Sequence, residues 1–272
     1  MRWLTTTPIA HRGLHDETIP ENSLAAFQAA VDAGYAIECD VRLSADGVPV
    51  VFHDRELARL TVATGPVGDV PWSKLRELTL DGTTERIPRL ETVLEIVDGQ
   101  VPLLVEVKNR STSVGPLEDR VVEALDDYVG TVGDRPPVAE QSSTGDRPSV
   151  AEQSFGAGRS LVAIQSFNPR TLSYVRSRRP SWPRGQLSAA DLRDVPVPRY
   201  QSWLLERLLL TWWSRPSFVA YRHTDLPYWP VTLHRRAGCP VLAWTVRSED
   251  EHEAVATHAD NVIFEEYRPP LL

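Results

Sequence analysis

Glu38 and Asp40 stand two apart in the run IECDV, and a strand places both carboxylates on one face with Cys39 on the other. Two carboxylates side by side repel unless a cation lies between them, and hard oxygen ligands suit Mg²⁺, Ca²⁺ or Mn²⁺. The flanking Ile37, Cys39 and Val41 mark a buried strand rather than a solvated acidic face. The device recurs in PLLVEVKN, where Glu106 and Lys108 share one face at the end of an apolar run. A third carboxylate with a lysine beside it matches a cation site with an anionic ligand alongside. A surface ion pair at this spacing contributes little and leaves the apolar strand unexplained.

Histidines complete the pattern. The run VPVVF ends in His53 and Asp54, and only SADG separates it from the strand Ile37–Leu43. Asp46-Gly47 is a hairpin signal, and a two-residue turn there sets Asp40 opposite His53 with Cβ atoms roughly 5 Å apart. A bulge shifts that pairing by one residue and still leaves His53 beside the carboxylates. The chain opens in the same way, with Pro8, Ile9 and Ala10 running into His11, Arg12 and Gly13. Charged side chains at the C-terminal ends of parallel barrel strands read as catalytic.

The elements that must hold these residues alternate. Strand patterns fall at Pro8–His11, Ala36–Val41, Val48–His53, Pro102–Lys108, Leu161–Phe167, Arg184–Leu187, Phe218–Tyr221, Val241–Val246 and Asn261–Phe264. Helix-period stretches lie at Ser23–Ala33, Arg89–Val97, Leu117–Val129, Arg170–Arg178 and Glu249–His258, with Asn22 as a cap of the first and Gly34 as its end. Strand–helix alternation implies an α/β fold with parallel strands. Eight parallel strands and one antiparallel return strand fit a TIM (β/α)8 barrel forming a single domain over 1–272. Residues 54–86 form a small insertion with little strand pattern. Residues 131–159 carry a near-identical tandem decamer, GDRPPVAEQS at 133–142 and GDRPSVAEQS at 145–154, which reads as a duplicated flexible loop.

The formal net charge of -8 argues against a nucleic-acid partner but leaves room for a small phosphorylated substrate, because a bound divalent cation inverts the local sign. Two cysteines, no signal-peptide core and no long apolar span point to the cytoplasm. The stretch WLLERLLLTWW at 203–213 reads as a crossover helix packed on the barrel; the less favoured reading is a peripheral membrane contact through its tryptophans.

Taken in order, HRG, PENS, ECD, DGVPVVFHD, IPRLETVLE, VEVK, QSF and AWTV resemble the glycerophosphodiester phosphodiesterase family over residues 9 to 265. The resemblance implies a TIM barrel with an insertion after the HD motif and metal-dependent hydrolysis of small glycerophosphodiesters. It implies His11 and His53 as general acid and base, and Glu38, Asp40 and Glu106 as ligands of a divalent metal ion. Arg12 and Lys108 fall on the phosphate, with Asn22 and Trp244 near the substrate. Ser23 stands where threonine is usual, and VIFEE replaces a typical Thr-Asp ending after the last strand. The order of the two histidines stays open, as does the attacker, water or a glycerol hydroxyl. A lysophospholipid headgroup-releasing lipase on the same barrel and a catalytically silent binding module are the alternatives. His15, His223, His234, His252 and His258 lack partnered spacing and read as surface or core.

Deleting residues 133–144, one decamer with the Ser143 and Thr144 that follow it, is expected to change thermal stability and turnover little, since each doubling of loop length costs only ~0.6 kcal/mol. Loss of folding on deletion would show instead that the repeat packs on the barrel.

Overall fold

The alternating runs close on themselves in the computed structural model, which describes residues 2–109, 111–133, 161–192 and 199–271. The strands are β1 (Ile9–Ala10), β2 (Ala36–Leu43), β3 (Pro49–Val51), β4 (Leu103–Val107), β5 (Val162–Ser166), β6 (Arg184–Ser188), β7 (Phe218–Arg222), β8 (Val241–Val246) and β9 (Asn261–Phe264). All but β3 pair in parallel, from β1 through β2 and β4 to β9 and back to β1, a closed eight-stranded barrel. β1 is short and covers only Ala36 and Ile37 of β2, so β3 pairs antiparallel with Val41–Leu43 beyond its end.

Helices return the chain between strands: α1 (Trp3–Thr6), α2 (Leu24–Ala33), α3 (Trp72–Leu75), α4 (Leu90–Val97), α5 (Pro116–Gly133), α6 (Pro169–Arg178), α7 (Arg199–Glu206), α8 (Thr211–Ser214), α9 (Trp229–Arg236) and α10 (Glu249–Val255). In α4, Leu90, Val93, Leu94 and Val97 are buried at the spacing of one helical face. Ser23, not the expected Asn22, caps α2 by accepting from the Ala26 N–H at 3.1 Å, and Gly34 ends the helix at φ 78°. α5 runs past the expected Val129 to Gly133; the remainder of the tandem decamers lies outside the described residues.

Alternation along the strands builds the interior in layers. Ile9, Ala36, Leu104, Ala163, Phe218, Leu242 and Ile263 form a buried floor with Trp3 and Leu4 of α1. Two residues further along each chain, on the same face, come His11, Glu38, Glu106, Gln165, Trp244 and Glu265. The opposite faces of β2 and β4, with Ile37, Cys39, Val41, Val105 and Val107, pack under the helices. The apolar plug therefore fixes which residues reach the mouth.

The hairpin departs from the two-residue turn by one position. Val41 pairs with Val51 and Leu43 with Pro49, so the Phe52 N–H, not that of His53, bonds to the Asp40 carbonyl at 2.9 Å. The loop is Ala45-Asp46-Gly47, with Gly47 at φ 81°. Asp46 Oδ1 accepts from Ser44 Oγ and from the Trp72 N–H, and Ser44 Oγ accepts from the Val48 N–H, bonds that hold the longer turn. Phe52 then enters the insertion, where it shares a separate buried cluster with Val50, Leu57, Leu60, Val67, Leu75, Leu80 and Ile87.

WLLERLLLTWW is not one helix. α7 stops at Glu206, Leu208 takes φ 57°, and α8 restarts at Thr211, leaving Trp203 and Trp212 exposed while Leu205 and Leu208 are buried. Among the described residues no helix is long and apolar enough to cross a membrane.

Because Phe52 is buried in the insertion's own core, Phe52→Ala is expected to lower unfolding free energy by ~3–5 kcal/mol in urea denaturation. A change below ~1 kcal/mol would mean the insertion adds no packed core.

Candidate active site

Asp40 is fully buried, and three groups from separate segments converge on it. Asn22 Nδ2 donates to Oδ2 at 2.9 Å, Arg12 Nε stands 3.2 Å from the same oxygen, and Lys108 Nζ lies 2.9 Å from Oδ1. Lys108 Nζ also reaches Glu106 Oε1 at 2.6 Å, while Glu38 accepts from the Arg12 N–H at 3.1 Å and from Gln165 Nε2 at 3.4 Å. Parallel pairing of β2 with β4 sets Asp40 beside Glu106 in register. Arg12 and Asn22 both adopt φ 56°, and the Asn22 N–H bonds to the Arg12 carbonyl at 2.9 Å. Gly13 follows at φ 82°, where a Cβ would stand 2.8 Å from the backbone of Ala26. The HRG and PEN segments thus fold against each other over β2.

Charge in this buried cluster is unevenly shared. Burial, then Asp40 and Glu106, push the Glu38 carboxyl well above its ordinary value. Burial also raises Glu106, with Lys108 opposing and Asp40 reinforcing. For Asp40, burial works in the same direction but is outweighed by Lys108, His53, Arg12 and His11, which hold it well below the usual carboxylate range. Lys108 stays protonated because Asp40 and Glu106 overcome its burial. Oxygens of Glu38, Asp40 and Glu106 lie within 4.8 Å of one another. Three buried carboxylates facing two cationic side chains fit a hard divalent cation, whose charge would oppose the repulsion that raises Glu38.

Both mouth histidines are held by a carboxylate at Nδ1. His53 Nδ1 lies 2.7 Å from Asp54 Oδ1, and His11 Nδ1 lies 2.5 Å from Glu265 Oε2. Arg42 fixes the backbone under His53 by donating from Nε to its carbonyl at 3.0 Å. Burial pushes His53 down to about 4, helped by Lys108 and Arg12 and opposed by Asp40 and Asp54. His11 is lowered by burial and by Arg12, against Glu265 and Asp40. Trp244, two residues beyond Leu242 on β8, packs edge-on against Phe167 at 5.8 Å, and its indole N–H is buried with no acceptor among the described residues.

Three side chains around the two histidines were not assigned from sequence. Glu265 belongs to the VIFEE ending that departs from the family pattern, yet alternation from Ile263 would have pointed it to the barrel mouth. His15 does not lie apart from the site, as its lack of partnered spacing suggested: its Nε2 is 3.6 Å from Glu265 Oε2. Asp54 follows His53 directly, and only the fold shows it turned back onto the ring.

Residues 11–266 match the glycerophosphoryl diester phosphodiesterase family. A glycerophosphodiester phosphodiesterase of Caldanaerobacter subterraneus is 33% identical over 133 residues, 46% of this chain and 54% of that protein. Human glycerophosphodiester phosphodiesterase 1 is 36% identical over 114 residues, 38% of this chain and 34% of that protein. The chain thus aligns with about half or less of the length of these curated relatives. Among solved structures, a phosphodiesterase of Oleispira antarctica, in complex with the product sn-glycerol-3-phosphate, is 25% identical with a TM-score of 0.66, covering 95% of this chain and 92% of that one. A glycerophosphodiester phosphodiesterase of Thermotoga maritima, 24% identical with a TM-score of 0.67 over 96% and 95% of the two chains, shares the fold.

His53 is expected to titrate near pH 4 in the metal-free protein, by NMR of its ring protons, against the ordinary 6.5. The unfolded chain then binds a proton that the folded chain refuses. Stability contributed by this residue is present above pH 6.5 and is lost as pH falls toward 4. A midpoint near 6.5 would contradict the desolvated placement.

Proposed function

The chain belongs to the glycerophosphoryl diester phosphodiesterase family, and from that premise we propose that it hydrolyses small glycerophosphodiesters to glycerol phosphate and an alcohol. The observation that carries the reading is the convergence of three buried carboxylates, Arg12 and Lys108 beneath two carboxylate-held histidines. The family's general dependence on divalent metals supports Glu38, Asp40 and Glu106 as the ligands of Mg²⁺, Ca²⁺ or Mn²⁺. Such an ion, when bound, would offset phosphate charge and polarise a phosphoryl oxygen.

The remaining work falls to side chains. A phosphodiester anion repels a nucleophile, and Arg12 and Lys108 would neutralise it at two points once it displaces part of their pairing with Asp40. Asn22 holds Asp40 from below, so it acts on the substrate by fixing the Asp40 carboxylate. The Trp244 N–H is a buried donor with no acceptor among the described residues, suited to a substrate oxygen. Asp54 and Glu265 keep a proton on Nδ1 of His53 and His11, which leaves each Nε2 for the reaction. One ring takes a proton from the attacking oxygen as the P–O bond forms, and the other gives one to the departing alkoxide. Small phosphodiesters rather than nucleic acid suit a chain of net charge -8.

Glycerophosphocholine hydrolysis is the test. Turnover is expected to vanish in EDTA and return with Mg²⁺, Mn²⁺ or Ca²⁺, and His11→Ala and His53→Ala are each expected to lower kcat by ~10²-fold or more with the fold intact. Full turnover without metal, or near-native kcat in either variant, would remove the group concerned from the mechanism. Preference for lysophosphatidylcholine would assign the headgroup-releasing lipase, and no turnover of either would leave the binding module.

A further inference from the structure

Beside the all-oxygen cluster lies a second set of cation ligands with different chemistry. His11, His15 and Glu265 each offer one donor atom, and these atoms lie within 4.8 Å of one another. His11 Nδ1 is 2.5 Å and His15 Nε2 is 3.6 Å from the same oxygen, Glu265 Oε2. His15 Nε2 is buried and makes no hydrogen bond among the described residues, although its ring faces the carboxylate. Arg247 Nη2 takes the other oxygen, Oε1, at 2.7 Å, so Oε2 is the one left for a ligand. A cleft lined by Gly13, His15, Glu17, Glu265 and Tyr267 gives access from solvent.

We propose that His11, His15 and Glu265 form a binding site for a borderline transition-metal cation such as Zn²⁺, distinct from the carboxylate cluster, and that filling it switches the enzyme off. Two imidazoles and a carboxylate suit Zn²⁺, whereas three carboxylates suit Mg²⁺ or Ca²⁺. Ligand atoms at 2.0–2.1 Å from a tetrahedral ion stand roughly 3.3 Å apart, so only the His11–Glu265 pair has to open, by under ~1 Å. The positive charge of Arg12 beside His11 works against a cation, and the Glu265 and Asp40 carboxylates offset it.

The switch rests on the phosphodiesterase reading; the binding does not. On binding, the single proton of the neutral His11 ring leaves Nδ1 and one is taken up from solvent at Nε2, so that the freed Nδ1 lone pair goes to the metal and the ring stays neutral. Nε2 then has no lone pair to accept a proton, and a metal-bound neutral imidazole is a poor acid. Glu265 is drawn from orienting His11 to ligating the ion.

The experiment loads the full chain with excess Mg²⁺ and titrates Zn²⁺, reading retained zinc by dialysis with elemental analysis and, in parallel, glycerophosphocholine turnover. One zinc per chain is expected, with inhibition that added Mg²⁺ does not relieve. His15→Ala and His15→Gln are expected to keep the Mg²⁺-supported rate, to bind zinc at least ~10-fold more weakly, and to shift the inhibition midpoint by the same factor. Zinc retention and inhibition unchanged in both variants would overturn the site. Inhibition relieved by Mg²⁺ would also overturn it, by placing the zinc in the carboxylate cluster. Zinc bound through His15 by a chain without phosphodiesterase turnover would uphold the site and overturn the switch.

Discussion

Burying Glu38, Asp40 and Glu106 side by side at the mouth of one barrel sets an electrostatic condition that every neighbouring group answers. An isolated carboxylate in such a place would take up a proton rather than remain charged. Asp40 escapes because a lysine, an arginine and an amide N–H all face it. Glu106 shares the same lysine. Among the described residues Glu38 accepts only from a backbone N–H and, at long range, from Gln165, so the unbalanced charge falls there. The cluster is one positive charge short, a deficit that a bound divalent cation would offset.

Precision in such a site depends on rigid supports. The apolar floor of the barrel fixes the strand faces, and the insertion braces the rim from outside. Arg59, on the insertion, donates to both oxygens of Glu21 at 2.7 and 2.9 Å and also pairs with Asp54. Glu21 in turn holds Arg12 at 2.8 Å. One exposed arginine thereby ties together the segments carrying Arg12 and His53. The 54–86 excursion, with its own buried cluster, is the platform from which that tie is made.

Much of this arrangement was legible because it follows from periodicity. Spacing of two along apolar strands identified Glu38 with Asp40 and Glu106 with Lys108, and the same rule located the strands within a residue or two of their ends. The hairpin register was misplaced by one because the loop is stabilised by bonds from Asp46 to Ser44 and Trp72, the second of which lies in a different element. Asn22 looked like a helix cap because its type suits one; its left-handed backbone turns the amide onto Asp40 and leaves the cap to Ser23. Glu265 and His15 escaped because their partners are far apart in the chain and meet only when β9 closes against β1. The tryptophan-rich stretch carried a helical pattern, yet Leu208 in a left-handed conformation splits it.

If the raised Glu38 carboxyl is a cation ligand, Mg²⁺ or Mn²⁺ competes there with a proton, and calorimetric titration of either ion into the metal-free protein at a series of pH values, in buffers of different ionisation enthalpy, measures that exchange. Cation binding is expected to release a proton over the pH range in which Glu38 titrates, so that the apparent enthalpy varies with the buffer there, and Glu38→Gln is expected to abolish the release. Tight binding with an enthalpy independent of the buffer at every pH, or proton release that persists in Glu38→Gln, would contradict the exchange.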